Sequence, residues 1–598
     1  MTFLRAKPER VVASVRVSTR GRAPEPDLLP AGLPPSGRYV ALDTDKLRGG
    51  YYTPAALAAW MCRWAVRDAS DSVLEPSCGD GVFVAAAAAR LRALGAAPAA
   101  IGGQLRGVEL VPAEADKARA RLADAAGDAA ADAAIITGEF FAWWAGAGRG
   151  RYAAVLGNPP FIRYQSFPEP ARGRAMALMT ALGLRPNRLT NIWAPFVVAA
   201  AEAVAPGGRM ALVVPAELLQ VSYATQLRAF LTERFATLTI VACNELIFEN
   251  AQQEVILLLA DGALPDRRAG HVCQVVVVEA PSVADLLARD PDRLRADAEP
   301  KDVRGGREKW LKYFLTSREI ALLRALRDHP RIVPLGRLAE VDVGIVTGAN
   351  EVFVLAAAEI AGRCLDGMTR RLVSKSAQLR GSILGDAEWQ ALAAEGARVH
   401  LLDIRPDARG RIPLAARDYV AAAERRDLHR GYKCRIRSPW YQVPAIWSPD
   451  AFLFRQIHDF PRLVLNEAGA TSTDTIHRVR VRGGSAAALV AGGFTHLTAA
   501  SAEIEGRSYG GGVLELEPTE AETLLFPDAA ALAAALPLAE ADRLIRDGRL
   551  AALLMENDRL VLRGALGLSE AECVVLREAW SRMKDRRTGR RRRPRVTA

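Results

Sequence analysis

The sequence lacks three features that would each define a class of protein: paired cysteines, a long apolar run and a phosphate-binding lysine loop. Its seven cysteines (Cys62, Cys78, Cys243, Cys273, Cys364, Cys434 and Cys573) lie far apart, with no Cys-x-x-Cys among them. That excludes a zinc ribbon or a disulfide scaffold, no metal site is expected, and the odd, scattered set suits a reducing compartment. His271 and Cys273 are close, but no second ligand pair follows, so they read as strand residues. Apolar stretches such as Val84 to Ala89 are too short and Ala-rich to span a bilayer, which argues against membrane contact. The N-terminus is basic and then Pro-rich rather than apolar, so no signal peptide is read and the expected location is cytoplasmic. Without a P-loop, nucleoside triphosphate chemistry is disfavoured. No nuclease-type set of paired acids and lysine stands out, nor does an internal repeat.

What is there is a long, globular composition. At 598 residues, half hydrophobic and a quarter charged, two or three domains are expected. Basic residues outnumber acids 79 to 68, giving +11. Between Arg582 and Arg595 stand nine basic residues and one acid, a net of +8 that leaves +3 for the rest. This stretch reads as a solvated tail, able to attract phosphates non-specifically or to have no duty.

Along the chain, residues 1–47 read as a flexible, basic and Pro-rich lead-in. From 48 to 310 short apolar runs alternate with Ala-rich helical stretches. Strands are expected at 72–75, 105–109, 134–137, 153–156, 210–214, 238–241 and 255–259, with helices at 81–95, 112–125, 191–205 and 217–235. Such alternation predicts an α/β fold, a doubly wound, mainly parallel sheet of Rossmann-like type. The last two strands have no helix between them, so they are expected to form an antiparallel hairpin at the sheet edge. Residues 311–535 mix short strands, Gly-rich turns and many arginines and predict an α+β domain; 536–598 reads as a helical C-terminus with a basic tail.

Two loops carry chemistry. Asn158-Pro159-Pro160-Phe161 follows an apolar strand and Gly157. Neither proline has an amide hydrogen, so the loop is rigid and keeps its carbonyls out of an ordinary ladder. Carbonyl acceptors, an Asn amide and an aromatic face together suit a flat ring bearing an amino group, such as a nucleobase out of its stack. Taken alone, the tetrapeptide fits a Pro-rich turn capped by Asn equally well. The second loop, Glu75-Pro76-Ser77-Cys78-Gly79-Asp80-Gly81, joins the first strand to an Ala-rich helix, its glycines allowing close approach of a ligand to the backbone. Glu109 ends the second strand 28 positions after Gly81, where an acid can accept from ribose hydroxyls. Glu139, after the third strand, reads either as a contact to an adenine amine or as a helix-start acid. A nucleoside-bearing cofactor follows, and S-adenosylmethionine fits better than a triphosphate.

The order Tyr52-Thr53-Pro54, Glu75 to Phe83, Glu109, Glu139-Phe140, Asn158 to Phe161 and Gly208 to Pro215 resembles the gamma-class DNA adenine methyltransferases, the group of the Taq modification enzyme. The resemblance is specific over 48–262 and loose beyond it, at Val343 to Asn350, Asn466 to Thr471 and Tyr509 to Gly512. It implies a catalytic domain followed by a C-terminal target-recognition domain, double-stranded DNA as substrate and a restriction–modification or defence setting, with a separate restriction endonuclease as a possible partner. It also implies that Thr53, Glu75, Ser77, Cys78, Gly79, Gly81, Glu109 and Glu139 hold the cofactor. Asn158, Pro159 and Pro160 would serve the amine, and Phe161, with Phe248, would stack on the flipped base. The chain departs from the family at Glu139, where Asp is commoner, and at Glu249, where Pro is usual. A non-catalytic DNA-binding subunit, or a methyltransferase acting on RNA adenine, a protein glutamine or a cytosine amine, are the alternatives.

Overall fold

Apolar runs that alternate with Ala-rich stretches fold, in the first half of the chain, into one large twisted sheet. The computed structural model describes residues 52–147, 151–245, 247–248, 254–296, 298–303, 308–509 and 512–589. The lead-in 1–47, Glu249 and the basic residues from Arg590 onward lie outside them. The strands are β1 (Val73–Glu75), β2 (Leu105–Glu109), β3 (Ile135–Thr137), β4 (Tyr152–Gly157), β5 (Val204–Pro215), β6 (Phe235–Cys243), β7 (Val255–Ala263), β8 (Gln274–Ala280) and β9 (Pro300–Lys301). Their order in the sheet is β3-β2-β1-β4-β5-β7-β6-β8-β9. Strands β1 to β5 run parallel, and β7 runs against both β5 and β6.

All seven expected strands are present. The hairpin, however, is not at the edge. β7 inserts between β5 and β6, and β8 continues the sheet in parallel beyond β6. The reason lies in burial: β6 is covered over eight of its nine residues, and the valine run Val275–Val278 supplies the neighbour its outer side requires. His271 and Cys273 immediately precede that strand.

Beyond residue 310 the elements shorten. A five-stranded sheet orders Ala339–Asp342, Ile476–Val481, Ala451–Phe454, Leu463–Asn466 and Ile383–Leu384, and a four-stranded sheet lies between residues 354 and 472. This is the expected α+β pattern. The boundary near 310 is nevertheless bridged by packing: one apolar cluster joins Met210 and Leu258 of the large sheet to Trp310, Leu497, Leu525 and Leu576.

The described part of the basic stretch, Arg582 to Arg587, differs from the expectation of a solvated tail. Residues Glu570–Thr588 form a helix opened by a capping box between Ser569 and Glu572. Its cations meet carboxylates on both halves: Arg586 with Glu254 (3.1 Å) and Glu279 (2.8 Å), Arg582 with Glu319 (3.2 Å), and Arg587 with Glu503 (2.7 Å). A count of charges cannot reveal acids that are hundreds of positions away. Among the described residues, no helix is long and apolar enough to cross a membrane, and no cluster of three or more His, Cys, Asp or Glu is disposed to hold a metal.

Candidate active site

β1 and β4 lie side by side, with β2 on one flank and β5 on the other. The order of strands reverses between them, so the loops at their carboxyl ends diverge and open a crevice. The loop after β1 is held down on both sides. Cys78 N donates to Val108 O of β2 (3.0 Å), Gly81 N to Cys78 O (2.7 Å) and Gly79 N to Glu109 Oε2 (2.9 Å). Gly79 and Gly81 have φ of +51° and +84°, and a Cβ on Gly81 would stand 2.7 Å from Ala118 Cα. Glycine is required there twice over, by conformation and by contact. At Gly79 a Cβ would meet nothing within 4 Å, so the turn is open there.

Glu75 is buried at 2 % exposure and accepts from Val84 N (3.1 Å). Burial pushes its carboxyl well above the usual range, with the nearby Asp80 and Glu109 charges adding to the effect against that bond and the Arg121 charge. A carboxyl in this condition fits a cationic ligand, whose charge would offset the desolvation. Burial, assisted by Glu75 and Glu109, also pushes up the Cys78 thiol, so a neutral thiol and not a nucleophile lines the turn. Glu109 is 8 % exposed; its carboxylate accepts from Gly79 N and from Val111 N (2.8 Å), which aims it along the mouth of β2.

On the other lip, Gly157 ends β4 so close to β1 that a Cβ there would touch Glu75 Cγ at 3.4 Å. Asn158 follows, and its Nδ2 donates to Thr53 Oγ1 at 3.4 Å, 105 positions earlier in the chain. Thr53 is itself buried, just ahead of the helix Ala55–Ala65. Pro159 is buried and Pro160 half-buried, and Phe161 packs against the apolar clusters on both faces of the sheet. The loop is tied onward by Ile192 N donating to Ile162 O (2.9 Å). Thr53, Glu75 and Asn158 thus converge at the carboxyl ends of two central strands.

Of the two readings open for Glu139, the structure shows the bonds of one. The Glu139 carboxylate accepts from Phe141 N (2.8 Å) and Ala142 N (2.9 Å) at the start of the helix Phe140–Ala147 and pairs with Arg174 (2.8 Å). That is the helix-start arrangement. Phe248 is 7 % exposed and belongs to the core cluster that also holds Ile247 and Val255. Reading the sequence missed one polar cluster beyond β5. Glu217, just past β5, receives Asn191 Nδ2 (2.9 Å), Trp193 Nε1 (3.4 Å) and Tyr223 OH (2.6 Å). No motif spacing joins these four; only the fold does.

Residues 38–297 match the family model of N-6 DNA Methylase, and residues 307–562 match the C-terminal domain of the Type II methyltransferase M.Eco57I. The chain is an adenine-specific DNA methyltransferase of the restriction–modification kind, each of its halves matching a methyltransferase family model. Among relatives of this methylase are the Type II methyltransferase M.XamI of Xanthomonas campestris pv. amaranthicola, 24% identical over 80% of this chain and 85% of the relative, and M.AccI of Acinetobacter calcoaceticus, 20% identical over 74% and 77%. The fold of the methylase is also that of the Type IIL restriction-modification enzyme MmeI, solved in complex with DNA: TM-score 0.53 at 13% identity, covering 88% of this chain and 75% of that one. As a methylase it takes a methyl donor and binds DNA.

Proposed function

We propose that the methyl donor is S-adenosylmethionine and that the acceptor is the N6 amine of an adenine flipped out of double-stranded DNA. Residues 48–310 carry the transfer and 311–535 the recognition of sequence, in the manner of the gamma class. The observation that carries this reading is the meeting of Asn158, Thr53 and the Glu75–Gly81 turn at the switch point of the sheet. S-adenosylmethionine supplies an electrophilic methyl on a cationic sulfonium. Glu75 opposes positive charge from beneath, Glu109 accepts from a ribose, and Ser77, Cys78, Gly79 and Gly81 form the wall of the turn.

The amine of adenine is a poor nucleophile because its lone pair is delocalised into the ring. With Asn158 Nδ2 turned to Thr53, Oδ1 is the amide atom that can accept one amine hydrogen, and the Pro159 carbonyl can accept the other. Drawing both hydrogens out of the ring plane frees the lone pair for in-line attack. The contribution is orientation and fixed dipoles, with no covalent intermediate on the protein. Phe161 stacks on the base and offsets part of the few kcal/mol of unstacking. A separate restriction endonuclease with the same target sequence is the partner this reading implies.

The test is expression in a host without adenine methylation, with modified bases mapped across its DNA, beside Asn158→Ala. Methyladenine in one short context, with a loss of about 10²–10³-fold or more in the variant, is the expected result. Equal methylation by Asn158→Ala would remove the assignment of this residue. Methylation of RNA or of a protein glutamine alone would replace the substrate.

A further inference from the structure

The described residues include an open groove of about 660 Å³ in the C-terminal half, far in sequence from the β1–β4 crevice, between residues 342–346 and 433–445. Its first wall continues the strand Ala339–Asp342 through Gly344, Ile345 and Val346; its second is the segment from Lys433 to Ala445. The two walls are stapled together. Arg437 donates to Thr347 O (2.6 Å) and to Val346 O, and Arg478 donates to Asp342 Oδ2 (2.8 Å), Val343 O (3.1 Å) and Ala445 O (2.7 Å). A Cβ on Gly348 would stand 2.7 Å from Lys433 Cβ, and one on Gly344 only 2.0 Å from Thr473 O, so glycine alone permits both approaches. The groove is therefore a fixed shape before anything enters it.

These cations divide into two kinds. Arg437 and Arg478 are spent on the scaffold. Among the described residues, by contrast, the Lys433 ammonium has no acceptor or acid, and the Gln442 side-chain amide has no hydrogen-bond partner. Arg405 lines the groove with its side chain 62% exposed, holding Asp403 (2.6 Å) through one edge of its guanidinium. Between Arg425 and Arg437 there are six Lys and Arg residues against the single acid Asp427. Interleaved with them, Tyr432 and Ile436 are 65% and 61% exposed. An exposed, strongly basic segment that carries apolar side chains outward and borders a rigid groove is complementary to a polyanion with an apolar interior edge.

We propose that this groove reads the target sequence of double-stranded DNA, with Lys433 and Gln442 contacting base edges in the major groove and Arg405 holding a flanking phosphate. The assignment rests on the DNA-methyltransferase reading above. Lysine donates to guanine O6 and N7, and glutamine both donates to and accepts from adenine, so the two side chains carry discrimination that a phosphate contact cannot. Arg405, held at one edge, keeps donors directed outward for a phosphate.

The test uses the full chain with Lys433→Ala, Lys433→Gln, Gln442→Ala and Arg405→Ala, each mapped for methylated sites in a host lacking adenine methylation. Binding to a duplex containing the mapped site is followed across salt concentrations, and thermal unfolding is recorded for each variant. Lys433 and Gln442 variants are expected to lose on the order of 10-fold or more in methylation at the wild-type site and to accept other bases at one position, with unchanged unfolding. Arg405→Ala is expected to weaken all sequences alike and to reduce the salt slope by about one. Wild-type site choice and rate in all Lys433 and Gln442 variants would overturn the groove while leaving the enzyme reading intact. Failure of the wild-type chain to methylate any DNA would overturn both.

Discussion

The β1–β4 crevice and the C-terminal half hold their acids by different means. At the β1–β4 crevice the carboxylates of Glu75 and Glu109 are tied by backbone N–H groups, inside a sheet covered on both faces. In the C-terminal half, acids are held mainly by arginines: Glu503 by Arg587, Asp342 by Arg478, and Glu515 and Glu517 by Arg455. Backbone donors fix a carboxylate at a place set by the sheet, which suits transfer chemistry that is the same at every site. Arginine side chains tie together loops that have little sheet between them, which suits a surface whose shape must differ from one target sequence to another. The helix Glu570–Thr588 joins the two regimes, since Arg586 reaches Glu254 and Glu279 of the large sheet while Arg587 holds Glu503.

The largest test of this contrast removes a deeply buried arginine of the C-terminal half. Both side chains of the Arg587–Glu503 pair are almost wholly buried, at 2% and 3% exposure. Arg587→Ala leaves a buried acid unpaired and is expected to cost about 3–5 kcal/mol of stability, read by chemical denaturation. Arg587→Met with Glu503→Leu is expected to recover much of that, because no charge is stranded. Recovery should be incomplete, since Arg587 also donates to His458 O and Gly512 O. Equal losses in the single and double variants would mean that packing of this helix, not its charge, joins the halves.

In the first half the corresponding test is of backbone. Gly81→Ala introduces a Cβ at φ +84° and 2.7 Å from Ala118 Cα. The conformation alone costs on the order of 1–2 kcal/mol, and displacing the helix Pro112–Ala126 shifts the turn that carries Gly79. Reduced stability together with weakened donor binding, measured by calorimetry, is expected. Normal donor affinity in a folded variant would separate the turn from the cofactor.

How much of this could be read from the chain divides along the same line. Strands β4, β6 and β7 and the later part of β5 are apolar runs buried on both faces, so periodicity and length identify them directly, whereas β1 to β3 are shorter or mixed and are placed by their alternation with helical stretches. β7's place between β5 and β6 was not legible, because strand order depends on which neighbour completes β6, and Val275–Val278 answers that only once the sheet is assembled. Asn158, Glu75 and Glu109 were legible because each stands at a strand end, where sequence position implies spatial position. Glu139 was ambiguous for the same reason: a strand end is also a helix start, and its bonds to Phe141 N and Ala142 N are those of the helix. Within the basic stretch, the pairing of Arg582 and Arg587 was not legible because their partners, Glu319 and Glu503, are remote in sequence. The signal at 425–437, six cations interleaved with Tyr432 and Ile436, was present in the sequence, but separating scaffold arginines from available ones needs their partners.

A smaller effect comes from titration of Glu75. Its carboxyl is raised by burial, so the folded protein keeps a proton that the unfolded chain would lose. That group's contribution to stability is present below the ordinary carboxylate range and falls away as pH rises through the elevated folded value. A cationic donor binds the ionised form, so donor affinity should rise with pH across the same window, by at most about tenfold per unit, with protons released on binding. Glu75→Gln should flatten the profile. A flat profile in the wild-type protein would mean that the positive charge of the donor lies away from Glu75.

The smallest expected effect on folding sharpens the comparison most. Lys433 is exposed and makes no ion pair among the described residues, so Lys433→Ala should change stability by less than about 0.5 kcal/mol. Neighbouring Arg437, four positions on, donates to two carbonyls of the opposite wall, and Arg437→Ala should lower the unfolding midpoint measurably. Both substitutions remove one positive charge from the same segment. If the segment served only as a general electrostatic attractor, both variants would weaken DNA binding alike at low salt and leave site choice alone. If its scaffold and its reading groups are distinct, stability and specificity separate between the two, and the arginines of this half prove to be mainly architecture around a few uncommitted side chains.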